Sequence, residues 1–596
     1  MHMKREHKKA QEIYAISELI NSGHYQKAID RFRDLETKNP KNNTIKFNKV
    51  GFLIDIGFGL KNSKIVKEGI VTGEKLLKDS SYKNQKTNLY YNCANGYMSL
   101  YHLEYKKDAE QIVDNENLQN AKRDFREAIK EANHFDSKFR SQLWTNYGNC
   151  LDSLGRGVEA LYAYDEALKI DPSFPMALGN KAMAMRFFAD ISEVYREAVY
   201  IKSYQILMSV LKNKDLVKFG GIAAKKNFEN ETKQIEGRFK DKSLLSKNLE
   251  HPQYDLSHAT SFEKFYIEFC SKHKLFLNFH IHEDECEASI VDPIFIRLIT
   301  PIDDNETFYK LSKHINQIKE DYAIARLLLV QSQFKRGDFD NISKKTTFVN
   351  TLDYSMFNIY VGLLKSAFKE AYNILDKISR FIKEYYKLGV EGNIYFTTIW
   401  QCKNNKNERK IRPEIANSKS ISLYALYDIF WDFKSEYLFS IPVELEEDLN
   451  KDINTKRLQD VFKTEGIFLA ENITKEKKNK WVIKCEEEKN SYVILKEKRK
   501  LNIYKSGYYK RIQDIRNASV HERLVIYDSV LTSWDKKADK YNIGYETMLS
   551  QTIELLQLVK SSIIYLINFV ELEENKKEND STGLIAPMYV DVTQFL

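Results

Sequence analysis

Residues 144–172 read WTNYGNCLDSLGRGVEALYAYDEALKIDP. Gly148 and Ala160 are small where two antiparallel helices would cross closely. Tyr164 and Ala167 would face the next unit. Pro172 stops the second helix, because proline cannot continue the hydrogen-bond ladder. Working outward, residues 23–40 (GHYQKAIDRFRDLETKNP) place Tyr25, Ala28, Phe32, Leu35 and Pro40 at matching offsets. Residues 90–97 (YYNCANGY) repeat the first-helix pattern, with Ala94 at the small position. Their second helix is expected in NAKRDFREAIKEA (120–132), with Ala121, Phe125 and Ala128, after an insertion at about 101–118. Residues 45–80 read as a degenerate copy. Asn180 lies one period after Asn146, so a further first helix should begin near Pro175. The sum is about five units over 9–200, the signature of a stacked solenoid.

The positions of Trp144, Gly148, Leu151, Gly155, Ala160, Tyr164, Ala167 and Pro172 resemble the tetratricopeptide (TPR) unit. That resemblance implies a curved array whose concave groove is lined by first helices. Asn92, Asn95, Asn146, Asn149 and Asn180 then fall at groove positions, where their amides can hydrogen-bond an extended peptide. The plainer reading is that Asn is simply common in this chain. Such an array has no chemistry of its own. It implies a protein or peptide trigger, or a regulator, held at the groove.

The chain has 596 residues, which calls for several domains or one long array. Its 22 Gly and 9 Pro are far below the roughly 12% of average usage. Few chain breakers favour long helices over a turn-rich sheet fold. Lys and Arg number 92 against 84 Asp and Glu, a net charge of +8 that permits a polyanionic partner without demanding one. Cys93, Cys150, Cys270, Cys286, Cys402 and Cys485 form no CxxC pair and read as reduced thiols. The charged N-terminus lacks the apolar core of a signal peptide. The apolar run at 561–570 (SSIIYLINFV) is too short to span a bilayer. A cytoplasmic protein with no membrane partner is expected.

Residues 205–260 are polar and Lys-rich, and read as a helix with a loop. The cluster His280, His282, Glu283, Asp284, Glu285, Cys286, Glu287 invites a metal reading. Its spacing lacks the helical or CxxC pairing of metal sites, so it reads as a surface loop, and no metal or cofactor is expected. Helical periodicity returns at 308–334. Residues 354–388 form a long amphipathic stretch, with Phe357, Val361, Leu364, Phe368, Ile374, Leu375, Ile378 and Ile382 as its buried side. Further helical stretches cover 420–436, 511–527 and 545–572, and 480–498 reads as a β-hairpin.

Within the stretch at 511–527 stands Ile515-Arg516-Asn517-Ala518-Ser519-Val520-His521. An Arg, a polar residue after it and a His five positions on resemble the RNxxxH motif of the HEPN superfamily. Those are four-helix-bundle domains, many of them metal-independent ribonucleases. The resemblance covers about 350–575 and is specific mainly at 515–521; long insertions at 390–415 and 470–505 depart from a minimal domain. It implies catalytic roles for Arg516, Asn517 and His521, and a homodimer in which two motifs meet. Its combination with a TPR array resembles prokaryotic toxin and antiphage-defence proteins. The residue types fit the chemistry. An imidazole ordinarily titrates near pH 6.5 and can take or give a proton. A guanidinium stabilises a pentavalent phosphorus transition state. Asn517 can orient His521 or a phosphate oxygen. Just upstream, Lys498, Arg499, Lys500, Tyr508, Tyr509, Lys510 and Arg511 combine cations with aromatic rings, as an RNA-contacting surface does.

The expected architecture is mainly α. A TPR solenoid (1–204) is followed by a middle region with short strands (205–345), a HEPN-like bundle with a small β-hairpin insertion (346–575) and a tail (576–596). The expected activity is that of an endoribonuclease, with tRNA as one candidate substrate. The alternative is a non-catalytic scaffold whose C-terminal bundle only dimerises or binds RNA.

Overall fold

In a computed structural model, the structure describes residues 2–104, 115–191, 196–247, 255–278, 287–300, 305–334, 337–403, 409–442, 470–477, 480–485, 490–497, 500–528, 542–577 and 584–585. The chain is mainly α-helical. It divides into two compact units. The first comprises Met1–Ala184, Ile206–Glu231 and Ser435–Ser506; the second comprises Met185–Gln205, Thr232–Lys434 and Gly507–Leu596.

The first unit opens with antiparallel helix pairs: α1 (His2–Asn21) with α2 (Tyr25–Lys38), α3 (Asn43–Gly59) with α4 (Ser63–Leu77), α5 (Lys86–Glu104) with α6 (Glu116–Lys130), and α7 (Ser137–Ser153) with α8 (Gly157–Ile170). Helix α9 (Pro175–Ile191) begins at Pro175 as expected, and α10 (Arg196–Leu211) and α11 (Leu216–Glu236) follow in the chain, each divided between the two units. Asn42, Asn62, Asn115 and Asp136 cap the N-termini of α3, α4, α6 and α7, each accepting from a first-turn N–H. Ala28, Phe32, Ala94, Phe125, Ala128, Ala160, Tyr164 and Ala167 are all buried. The repeat positions are therefore packing positions. Gly148 shows why: a Cβ there would lie 2.4 Å from the Tyr164 ring. We expect Gly148→Ala to destabilise the protein by about 1–3 kcal/mol through overpacking. The check is the urea midpoint of the transition that reports this unit; an unchanged midpoint would show that the crossing can relax.

The same unit contains a five-stranded antiparallel sheet in the order β4-β8-β7-β6-β5. Its strands are β4 (Ser435–Pro442), β5 (Ala470–Lys477), β6 (Lys480–Cys485), β7 (Asn490–Glu497) and β8 (Lys500–Ser506); the short β1 (Ile299–Thr300), β2 (Gln401–Lys403) and β3 (Arg409–Ile411) precede them in the chain. The expected hairpin is β6–β7, with Cys485 opposite Asn490. It belongs to a larger sheet than the sequence indicated, because β4 starts directly where a helix ends at Lys434 and no turn signal marks it.

The second unit is built on four long helices. These are α13 (Asn305–Gln333), α15 (Ile359–Tyr385), α17 (Ile421–Lys434) and α19 (Tyr545–Lys577), with the short α14 (Gly337–Ser343) and α16 (Pro413–Asn417) between them in the chain. Helix α15 packs on α13 and α19, and α17 packs on α19. Helix α13 is thus part of the bundle, although the sequence places 308–334 in the region before it. On α15 the apolar face is buried as expected, except that Phe357 precedes the helix and is 43% exposed. Helix α19 is longer than its apolar run suggested. It is long and apolar enough to cross a membrane by length and composition, yet 83% of its most apolar window is buried inside the protein. A short helix, α12 (Ser261–Lys272), opens on a capping box between Thr260 and Glu263. Its C-terminal end is held by side chains from the bundle. Gln557 donates to the carbonyl of His273 (2.9 Å), Lys560 to that of Lys274 (3.0 Å), and Tyr322 and Arg326 to that of Leu275 (2.8 and 3.1 Å). Arg326 also forms a paired contact with Asp292, at 3.0 and 2.6 Å. Burial pushes the Lys560 ammonium well below its ordinary range.

Candidate active site

The motif sits on α18 (Lys510–His521), which packs on α15 and α17. Ile512, Ile515 and Ala518 recur at three-residue spacing and form its buried face. Gly507 lets the chain enter this helix: a Cβ there would lie 2.3 Å from the carbonyl oxygen of Asp432. Two residues on, the Tyr509 N–H donates to that same carbonyl at 2.7 Å. Lys510 and Asp514 form an ion pair one turn apart on the helix surface. His521 is the last helical residue, and Glu522 already has extended dihedrals.

Arg516, Asn517 and His521 converge. The Nη1 of Arg516 donates to Asn517 Oδ1 at 3.2 Å and lies 3.4 Å from His521 Nε2. Arg516 and His521 are five residues apart, so an ideal helix turns them about 140° away from each other. The long guanidinium arm closes that angle. A guanidinium only donates, so the contact to Nε2 is available when that nitrogen carries its lone pair. Asn517 and His521 are exposed and Arg516 is partly buried. The trio thus presents a donor and an imidazole to solvent.

Two residues of α15 complete the surroundings. The guanidinium carbon of Arg516 lies 5.5 Å from the ring centre of Tyr372. Tyr372 packs edge-on against Phe433 (5.9 Å), which in turn meets Tyr509 (5.4 Å), so a row of rings underlies the motif helix. One turn after Tyr372 is Asp376, buried, with Oδ1 accepting the Phe396 N–H at 2.8 Å. Burial pushes its carboxyl up, while the Phe396 N–H and then the charges of Arg516 and Arg380 pull it down. The buried Nε of Arg516 has no hydrogen-bond partner among the described residues. Sequence reasoning missed Tyr372 and Asp376. The available signal was an Asp interrupting the apolar face of α15.

The remaining sequence candidates are dispersed. Lys498 and Arg499 lie outside the described residues, and Lys500 begins β8. Tyr508 is 47% exposed and Arg511 is exposed, next to the motif. Tyr509 is only 7% exposed, so its ring supports the helix and is not open to a base. Lys510 is engaged with Asp514. In the first unit, the asparagines form contacts among themselves. Asn146 donates to Asn95 Oδ1 (2.9 Å) and to the Tyr91 hydroxyl (3.0 Å), while Asn149 Oδ1 accepts from Asn180 (2.7 Å) and from Tyr164 (2.9 Å). Asn92 lies against Gly51 of α3. This row joins successive first helices, and it uses part of the hydrogen-bonding capacity that a peptide would need. The His280–Cys286 cluster lies outside the described residues. Among the described residues no group of three His, Cys, Asp or Glu side chains is placed to hold a metal.

Comparison with known proteins bears on the C-terminal part of the chain. No curated protein matches the chain. Residues 302–457 and 475–573 match the family model described as LA2681-like HEPN, an interval that takes in α13, α15, α17, α18 and α19 and contains the Arg516–His521 motif. The C-terminal part of this chain is therefore similar to LA2681-like HEPN domains.

Proposed function

We propose that the protein is a metal-independent RNA endonuclease that acts as an effector in antiphage defence or growth arrest. The observation that carries this reading is the convergence of Arg516, Asn517 and His521 on an exposed face of a HEPN domain. In the proposed reaction the 2′-hydroxyl of RNA attacks the adjacent phosphorus, and the bond from phosphorus to the 5′-oxygen breaks. One proton leaves the 2′-hydroxyl and one joins the departing 5′-oxygen. Arg516 stabilises the charge that builds on the phosphate oxygens. His521 moves one proton, and Asn517 fixes Arg516. One imidazole serves either as base or as acid in a given turnover, so a second copy of the chain supplies the other in a homodimer formed through the HEPN domain. The repeat array of the first unit, TPR-like in its packing positions, holds a protein or peptide trigger or a regulator.

The direct test is incubation of the purified protein with labelled tRNA and total RNA in EDTA. The expected products carry 2′,3′-cyclic phosphate and 5′-hydroxyl ends, and a DNA oligonucleotide of the same sequence stays intact. Cleavage that requires added metal, or that leaves 5′-phosphate ends, would exclude this mechanism. The second reading, a scaffold that does not cut, draws support from the Asn row, which rigidifies the first unit as a platform. It predicts RNA binding or dimerisation without products.

A further inference from the structure

The face of α15 that meets the motif helix carries more than Tyr372 and Asp376. At about 100° per residue, Lys365, Lys369, Tyr372, Asp376 and Arg380 fall within about 80° of one another. They form one stripe, about 22 Å long at ~1.5 Å per residue. Its position relative to the motif is fixed at several points. Lys365 Nζ donates to the carbonyl of Leu524, three residues after His521, at 2.7 Å. Arg516 lies over Tyr372 in the middle of the stripe. Asp376 feels the charges of both Arg516 and Arg380.

The cations of this stripe have little to balance them. Neither Lys369 nor Arg380 makes a hydrogen bond or ion pair with a described residue. Arg380 is exposed, and Lys365 and Lys369 are half-buried. Burial and the neighbouring Lys369 charge both push the Lys365 ammonium down, a strain that an anion between them would relieve. The nearby carboxylates do not serve this purpose. Asp376 is buried with Oδ1 on the Phe396 N–H and attracts Arg380 only through space, without a hydrogen bond, and Asp514 is paired with Lys510. An ammonium has three donors, so Lys365 retains two beyond its contact with Leu524. The sequence conceals this stripe, because its members are spread over 16 residues of a helix read for its apolar face.

We propose that Lys365, Lys369 and Arg380 form a rail for the phosphates of single-stranded RNA, which passes over the motif helix between them, above the buried Tyr372 and Asp376, and delivers one phosphodiester to Arg516 and His521. This inference rests on the ribonuclease reading above and names where its substrate lies. Phosphate contacts of this kind position a strand without reading its bases.

The test uses the whole 596-residue chain with His521→Ala, so that RNA survives, and a fluorescent 12-nucleotide single-stranded RNA of mixed sequence. Binding is followed by anisotropy over a range of salt concentrations. Adding Lys369→Glu and Arg380→Glu should weaken binding at least tenfold. It should also flatten the plot of log K against log salt by about 0.7 for each phosphate that is no longer neutralised. Lys369→Gln with Arg380→Gln should give the same change in slope and a smaller loss, which separates charge from folding. Lys313→Glu, an exposed change on α13, should leave binding unchanged. Equal binding by the rail variants, with RNA cleavage by the unmutated chain, would overturn the rail and leave the ribonuclease reading standing. No RNA binding by the His521→Ala chain, with no cleavage by the unmutated one, would overturn both.

Discussion

His521→Ala is expected to lower RNA cleavage by about 10²–10⁴-fold, the range lost when a positioned proton-transfer group is removed. At 1.36 kcal/mol per decade, that is about 3–5 kcal/mol of transition-state stabilisation. The same substitution should leave folding untouched. His521 is exposed, ends its helix, and has one side-chain hydrogen bond among the described residues, the 3.4 Å approach of Arg516 Nη1. Surface changes of that kind usually alter stability by no more than about 0.5 kcal/mol. The informative measurement therefore pairs a cleavage rate with a melting curve. Abolished cleavage with an unchanged melt places His521 in the chemistry. Abolished cleavage with a lowered melt would point to a structural role, and retained cleavage would falsify the assignment.

Much of this architecture is readable from local signals. Gly148 and Ala160 mark a close helix crossing, and Pro172 marks an end, because each acts within its own unit. The spacing of Arg516 and His521 is also local, and so their helix could be anticipated. The supports of the site are not local. Tyr372 and Asp376 lie more than 130 residues before the motif and reach Arg516 only because α15 packs on α18. A periodicity argument sees Tyr372 as one more core ring, and it has no means of pairing Asp376 with a distant guanidinium. Tyr509 shows the reverse error. Its neighbours are basic and exposed, which suggests an RNA-facing ring, but the hydrogen bond to Asp432 and the contact with Phe433 turn it inward. The role of α13 is obscured for a similar reason, since an amphipathic stretch does not say which bundle will bury it.

Arg516→Lys is expected to separate charge from geometry. Lysine keeps the positive charge, so RNA affinity in the His521→Ala background should change by no more than a few fold, as phosphate attraction is governed mainly by charge. The ammonium cannot reproduce the rest. It is a compact point charge without the planar fork, and it stacks poorly on a ring. In the present arrangement one Nη of Arg516 serves Asn517 and His521 while the guanidinium rests on Tyr372 beside the buried Asp376. The plane of the group is thus set from beneath, and its remaining N–H groups have fixed directions. A donor held in that way costs no reorganisation when charge builds on the phosphate, and removal of such a donor typically costs about 10²–10³-fold in kcat, or about 3–4 kcal/mol. Arg516→Lys should therefore lower kcat by about that factor with little change in KM, whereas Arg516→Ala should lower kcat and weaken binding together. If the lysine variant keeps a kcat near that of the unmutated chain, the fork has no part in the transition state. Arg516 would then be one more cation along the strand, and the support given by Tyr372 and Asp376 would be packing alone.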